Sequence, residues 1–364
     1  MAEFLKNLNW GFFKSLNQNG GFVALDIGSS SVKLVETAVE KGGYRVLNLG
    51  VAPLPPKAIQ NNMVADSSLV AGAIRKLIED NKVNATHVIS AVPGRAVIMK
   101  KVQLPRQEDD ELEANVEFEA NNVIPENLEN INLDYQVLNY VAGDKMEVLL
   151  VAVKKEIVNS YADVIVEAGL KPAIMDVDYF AMENMYEANY TAEGGGVVGL
   201  IHIGARYTSI TLLQNGLSTF TGDLPIGGEE FTEALRKELN ISAEAAENLK
   251  LTGALEGKKA TDVDVMLQPM TDELTAEIRR TVTLYGSVGS EDGEGLKAIY
   301  LSGGSAKLPG LGSRLQEKMG VPAILAEPFR GFTINRKIDR SQLVETAPLF
   351  AVAAGLSIRR PGDK

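Results

Sequence analysis

The sequence predicts an α/β protein made of two related halves, with a small α+β module inserted in the first. Three observations carry that prediction. An apolar strand, a turn of glycine and hydroxyl residues, and a second apolar strand occupy residues 22–36, and the same layout returns at 197–213. Residues 95–175 read strand, helix, strand, strand, helix, strand, the order of a unit with its own core. Glu193-Gly194-Gly195-Gly196 then forms a flexible joint between the halves.

Residues 1–20 form an arm. Phe4, Leu8, Phe12 and Leu16 recur every four residues with Leu5 beside them, which predicts a short amphipathic helix. Gly11 weakens it by ~1 kcal/mol relative to alanine. Such an arm either docks on its own domain or frays, or it meets a partner or a membrane surface. The first domain covers 21–94 and 176–193. Its segments FVALDIG, SVKLVETAV and Tyr44 to Val51 predict three strands, Ser67 to Asn81 a helix capped by Asp66, and His87 to Val92 a strand closed by Pro93-Gly94. Phe180 to Ala188 predicts a further helix.

In the insert, Val97 to Leu104, Leu133 to Val141, Met146 to Val153 and Pro172 to Val177 are strand-like, while Asp109 to Asn122 and Val158 to Ala168 carry helical patterns. The second domain spans 194–364. It has strands at Val197 to Ile203 and Ser209 to Leu213, then helices at Phe231 to Leu239, Ala243 to Leu251 and Leu274 to Tyr285, with 228–297 as a helical subdomain. The strand AIYLSGG and a small-residue helix, Ala347 to Ile358, close the chain.

Composition narrows the function. The 364 residues suffice for two or three domain-sized units, since domains run to roughly 100–200 residues each. Hydrophobic residues at 45% and charged residues at 23% are globular values. A net charge of −12 repels nucleic-acid phosphate and anionic lipid, so neither is expected as a broad partner. The absence of cysteine removes disulfides, thiolate nucleophiles and Cys-based zinc sites. His87 and His202, the two histidines, are too few for a His-rich metal site. No apolar run approaches the ~18–20 residues that span a bilayer, and the first residues lack the apolar core of a signal peptide. A cytoplasmic protein is expected.

Four turn segments and two residue pairs carry candidate chemistry. In Leu25-Asp26-Ile27-Gly28-Ser29-Ser30-Ser31-Val32-Lys33, a turn between two strands can aim backbone N–H groups and hydroxyls at phosphate, with Asp26 holding Mg²⁺ through water. An ordinary glycine-serine hairpin with a solvated aspartate has the same sequence. Ile201 to Thr208 repeats the shape through Gly204, Ala205, Arg206, Tyr207 and Thr208, with His202 where the first segment has its acid. His202 is either a satisfied strand-end histidine or a contact to nucleotide or metal. Gly227-Gly228 opens a helix, whose N-terminus favours an anion. Gly303-Gly304-Ser305 ends a strand and lets a flat ligand approach the backbone. Glu247 and Lys250, three residues apart, share one helix face, as a surface ion pair or a ligand contact. Asp176 and Asp178 either cap the helix near Phe180 or orient a water.

In this order the segments resemble the actin/hexokinase/heat-shock ATPase superfamily over nearly the whole chain. The resemblance implies a two-domain fold of duplicated RNase H-like halves. It assigns Asp26, Gly28, Ser29, Ser30, Ser31 and Lys33 to the first phosphate loop, Gly204 to Thr208 to the second, and Gly303, Gly304 and Ser305 to an adenosine loop. Gly227 and Gly228 belong to the same cleft, and Glu247 and Lys250 face ribose and adenine. ALDIGSSSVKLVE, Val92-Pro93-Gly94, Met175-Asp176-Val177-Asp178-Tyr179-Phe180-Ala181 and Val352-Ala353-Ala354-Gly355-Leu356 narrow the resemblance to the PilM family of type IV pilus systems. That family implies ATP and Mg²⁺ in the cleft. It also implies a groove on the first domain for the cytoplasmic N-terminal tail of the membrane protein PilN. A ring or layer linked to the pilus motor and platform, peripheral to the inner membrane through its partners, follows from the same likeness.

Superfamily members that hydrolyse ATP usually carry an acid at the position of His202, so the resemblance implies binding with weak or absent hydrolysis. The leading expectation is therefore a nucleotide-binding scaffold. Its alternatives are a small-molecule kinase of the same fold, which needs a catalytic base, and an FtsA-type division filament. The latter ends in a basic amphipathic helix, whereas Pro361-Gly362 here interrupts any such helix. The cytoplasmic half of a type II secretion protein needs a transmembrane segment.

Overall fold

The computed structural model describes residues 21–107, 109–190, 196–253, 260–285 and 295–363. The expected arm at 1–20 and residues 193–195 of the expected joint lie outside the described residues.

The chain opens with an antiparallel meander, β1 (Phe22–Ile27), β2 (Ser31–Glu40) and β3 (Gly43–Pro53). A short hairpin, β4 (Ile59–Gln60) with β5 (Met63–Val64), leads into α1 (Ser67–Asp80). Asp66 caps that helix as its sequence predicts, accepting the Leu69 N–H at 3.1 Å. β6 (His87–Val92) then pairs parallel with β1.

One 3-10 turn, Gly94–Ala96, leads into the insert. Its strands β7 (Val97–Pro105), β8 (Ile131–Val141) and β9 (Lys145–Lys154) form an antiparallel sheet in the order β7-β9-β8. Helix α2 (Asp109–Val123) lays Leu112, Val116 and Ala120 on Val148, Leu150 and Ala152, a core separate from the others.

Two elements expected within the insert belong elsewhere. α3 (Lys155–Glu167) buries Ile157, Tyr161, Val164 and Ile165 in the same cluster as Val23, Leu25 and Ile74. β10 (Lys171–Val177) pairs parallel with β6 and so extends the first sheet. The insert's own sheet thus closes at Lys154, because α3 and β10 find their apolar partners on β1, β6 and α1. α4 (Asp178–Asn189) covers the opposite face.

The second half begins with β11 (Val197–Ile203), β12 (Thr208–Gln214) and β13 (Leu217–Leu224), the last a strand with no sequence expectation. α5 (Gly228–Leu239), α6 (Ala243–Thr252) and α7 (Ala260–Tyr285) follow, then β14 (Leu296–Ser302), α8 (Leu311–Met319) and β15 (Ala323–Leu325). The second sheet runs β13-β12-β11-β14-β15. In the first sheet, β3-β2-β1-β6-β10 has the same order and the same directions: two antiparallel pairings on one side of the central strand, two parallel on the other. The duplication expected from the repeated hairpins is therefore complete to five strands per half.

The C-terminal segment corrects another expectation. The sequence places it in the second domain, yet β16 (Phe332–Ile334) pairs parallel with β3 as the sixth strand of the first sheet. After α9 (Arg340–Thr346), α10 (Ala351–Ile358) packs on β1, β2 and α4. Gly355 makes this possible, since a β-carbon there would stand 1.7 Å from the Ala181 carbonyl oxygen. The helical stretch Arg340–Ile358, at 19 residues and mean hydropathy 1.3, is long and apolar enough by composition to cross a bilayer, contrary to the sequence expectation. Its apolar side chains serve instead as the core between the first sheet and α4.

Candidate functional site

The repeated topology sets three turns at the ends of central strands. The first turn joins β1 to β2, the second joins β11 to β12, and the third follows β14. Parallel pairing of β11 with β14 sets His202 directly opposite Ser302. The second and third turns are therefore neighbours.

On the first hairpin, Asp26 and Lys33 are cross-strand partners, with Lys33 Nζ 3.2 Å from Asp26 Oδ2. The turn is tight, as Gly28 N–H donates to the Ser31 carbonyl at 3.1 Å. A β-carbon on Gly28 would lie 2.8 Å from Lys33 Nζ. The missing side chain leaves a cradle over one ammonium and one carboxylate, with Ser29 and Ser30 at the rim. That donor set fits a polyphosphate and its hydrated divalent cation. Among the described residues no group of three or more His, Asp or Glu is placed to hold an ion without such a ligand.

The second hairpin is locked to its neighbours. Gly204 N–H donates to the Tyr207 carbonyl at 2.9 Å. The Gly228 and Glu229 N–H groups at the start of α5 donate to the Gly204 and Ala205 carbonyls at 2.9 and 2.7 Å. This helix end, expected to favour an anion, thus spends two donors on the hairpin. The Thr208 hydroxyl donates to the Ile226 carbonyl at 2.8 Å. Arg206 reaches across to the first half, where its Nη1 donates to the Ile59 carbonyl at 2.7 Å, and its Nε lies 3.3 Å from Glu229. Tyr207 lies beneath the Arg95 guanidinium.

The third turn closes the ring. Gly303 adopts φ +92°, a conformation glycine takes without strain, and its N–H donates to the Pro348 carbonyl at 2.8 Å. Ser305 N–H donates to the Ile203 carbonyl at 3.2 Å. Gly228 abuts the Ser305 hydroxyl so closely that a β-carbon would come within 1.9 Å of it. Lys250, 3% exposed, donates to the Gly228 carbonyl at 3.2 Å and to Glu247 at 2.7 Å. Burial lowers the Lys250 pKa, against the pull of Glu247. Gly227, Gly228, Glu247, Lys250 and Ser305 therefore converge, as do Asp26, Gly28 and Lys33. Glu247 and Lys250 form the ion pair of the plainer reading, and half of it is buried.

His202 lies between these groups. Its Nδ1 is 3.0 Å from Ser302 Oγ, and burial holds its pKa down to about 4, opposed by Asp26 and aided by Lys33. The imidazole is neutral at physiological pH. Asp176 and Asp178 do not cap α4, which begins at Asp178 and has no side-chain cap. Asp176 instead faces Arg359, Oδ2 to Nε 2.9 Å. Asp178 Oδ1 accepts the Gly94 N–H at 2.7 Å. Burial pushes its pKa up to about 8, with Asp223 and Asp26 adding repulsion, so the carboxyl holds its proton at neutral pH.

Some cleft residues have no signal in the sequence. Asp223 on β13 accepts from Ser209 at 2.7 Å and from the Tyr179 hydroxyl of the first half. The strand that carries it lacks clear apolar alternation. Arg95 follows Pro93-Gly94, a turn signal that marks a boundary but no side-chain role.

A family model described as type IV pilus assembly protein PilM matches residues 24–361. A solved PilM-PilN type IV pilus biogenesis complex is similar at 29% identity and TM-score 0.82, covering 94% of this chain and 99% of that one. The cell division protein FtsA of Streptococcus pneumoniae is 23% identical over 85% of this chain and 76% of its own length. MreB5 of Spiroplasma citri bound to AMPPNP shares the fold at TM-score 0.52 and 12% identity, over 93% of this chain and 95% of that one.

Proposed function

The chain belongs to the type IV pilus assembly protein PilM family, and from that premise we propose that it is a cytoplasmic, ATP-binding scaffold that holds the cytoplasmic tail of PilN. The observation that carries this reading is the likeness at TM-score 0.82 to 99% of the chain solved in a PilM-PilN complex. The scaffold links PilN to the pilus motor and platform and assembles as a ring or layer.

In the cleft, Lys33 and the Gly28 turn take the phosphates, and Asp26 holds their Mg²⁺ through water. Glu247, Lys250 and Gly303 to Ser305 take the nucleoside, with Gly227 and Gly228 beside them. Mg²⁺ neutralises phosphate charge when bound. Hydrolysis is weak or absent in this reading, because neither His202 nor Asp178 stands ready as a general base. His202 is neutral and its pKa is held down to about 4, while Asp178 keeps its proton up to about pH 8.

Calorimetry of Mg·ATP with the wild type and Asp26→Ala tests the cleft. Fluorescence anisotropy with a synthetic PilN N-terminal peptide tests the partner. Micromolar ATP binding lost in Asp26→Ala, together with saturable peptide binding, is the expected result. No peptide binding in either the presence or absence of ATP rejects the scaffold reading. Phosphate transfer from ATP to a small metabolite would replace it with a kinase.

A further inference from the structure

Asp26 and His202 hold the same place in the two halves. Each is next to last in its central strand, β1 or β11, and each is followed by an isoleucine and the glycine of the turn. Across its hairpin Asp26 pairs with Lys33, and His202 pairs with Ser209. Asp26 and Lys33 act on the His202 ring from the first half, shifting its proton affinity in opposite directions. The duplication therefore brings a carboxylate to the cleft from one half and an imidazole from the other.

That imidazole is set up as a ligand. The Ser302 hydroxyl donates to Met182 Sδ at 3.8 Å, so its oxygen is left to accept the Nδ1 proton at 3.0 Å. A proton on Nδ1 leaves the lone pair on Nε2. Metal-binding histidines are held in this way, the far nitrogen donating to a fixed acceptor that orients the ring and sets its tautomer.

From this placement we infer that His202 Nε2 ligates the divalent cation of the bound nucleotide and turns the preference of the cleft from Mg²⁺ toward Mn²⁺ and Co²⁺. The inference deepens the nucleotide-binding reading above and rests on it. Mg²⁺ takes oxygen ligands and sheds water reluctantly, so Asp26 serves it through water. A neutral imidazole offers such a hard cation no charge. It suits first-row transition cations, whose affinity for a nitrogen ligand rises from Mn²⁺ through Co²⁺ to Ni²⁺. Asp26 and the phosphates supply charge to either kind of cation, and His202 supplies the choice between them.

The test uses the full chain and AMPPCP, which has no nitrogen between its phosphates. Calorimetry compares its binding in Mg²⁺, Mn²⁺ and Co²⁺. Binding in Co²⁺ is expected to exceed that in Mg²⁺, and His202→Asp is expected to cut the ratio about tenfold. Pulsed electron spin resonance of the Mn·AMPPCP complex is expected to show a nitrogen coupling. Histidine carrying the heavy nitrogen isotope changes that coupling, and His202→Asp abolishes it. The label is specific, because the chain has two histidines and His87 pairs with Phe22, at the other end of β1 from Asp26. A parent that binds AMPPCP with none of the three cations overturns the inference and the reading beneath it together. Binding without the nitrogen coupling overturns the inference alone and leaves Nε2 to the cavity of about 10 Å³ beside Asp178, Ser209 and Thr211, which has room for one water. The same cation preference in His202→Asp as in the parent also overturns the inference alone.

Discussion

His202 Nδ1 lies 3.0 Å from Ser302 Oγ, across two parallel strands on which these residues sit directly opposite each other. The pair buries a neutral imidazole in the cleft and gives stability a defined pH dependence. The folded pKa is about 4 against an ordinary 6.5, so between these values the unfolded chain takes up a proton that the folded chain refuses. Stability from this group is lost as pH falls through that window. Asp178 and Glu183 act with the opposite sign. Burial raises them to about 8 and about 7 from 3.8 and 4.5, so the stability they contribute is lost as pH rises. Above pH 7, Asp178 remains the last of the three to titrate. Asp178→Asn is expected to flatten the decline of the thermal midpoint up to about pH 8 relative to wild type, most cleanly between about pH 7 and about pH 8, where the other two groups no longer change. Parallel curves for the two proteins would mean that the Asp178 carboxyl is ionised in the folded state.

Lys33→Ala removes the partner of Asp26 inside a hairpin where both side chains are largely buried. Leaving the carboxylate unpaired costs roughly 1–3 kcal/mol of folding stability. Affinity for Mg·AMPPNP is expected to fall at least about tenfold, or ~1.4 kcal/mol. Urea titration and calorimetry separate the two effects. Unchanged nucleotide affinity in a folded variant rejects the phosphate role of this hairpin.

Gly355→Ala places a methyl group 1.7 Å from the Ala181 carbonyl oxygen, where backbone rather than a flexible side chain must yield. Forcing α10 and α4 apart is expected to cost about 1–3 kcal/mol or more. The denaturant midpoint reads it directly. A variant as stable as wild type would show that the crossing is looser than its geometry.

Lys250→Met keeps the buried stem and removes the cation that bridges the Gly228 carbonyl and Glu247. Nucleotide affinity is expected to weaken about tenfold, close to 1.4 kcal/mol, with a stability loss of about 1 kcal/mol. Comparing AMPPNP with tripolyphosphate locates the loss. An equal loss for both ligands contradicts a nucleoside contact at Lys250.

The strand-turn-strand repeats were legible because β1, β2, β11 and β12 are buried and read as apolar runs. β13, with the sequence LSTFTGDL, has too few apolar residues to stand out, and only pairing with β12 defines it. Periodicity revealed α3, β10 and α10 but not their destinations, since an apolar face does not name the sheet it will cover. Pro269 hid the first half of α7, which continues through it. In the cleft, glycine and aspartate marked the hairpins. The sequence holds no sign that Thr208 would turn to Ile226, that Arg206 would reach Ile59, or that Asp223 would receive Tyr179. Those roles arise from contacts between segments far apart in the chain.

The parallel pairing of Phe332–Ile334 with β3, and the seat of α10 on β1 and β2, have a consequence for biosynthesis. Strands near residue 50 leave the ribosome long before the segment that covers them. At roughly 5–20 residues per second, the intervening stretch takes on the order of tens of seconds to translate. Through that interval the edge of β3 lacks its neighbour, and the apolar face that receives α10 is bare. An open edge of this kind is prone to pair with another nascent chain. All five strands of the second sheet are made before Phe332, so the first half to be made is the last to be finished.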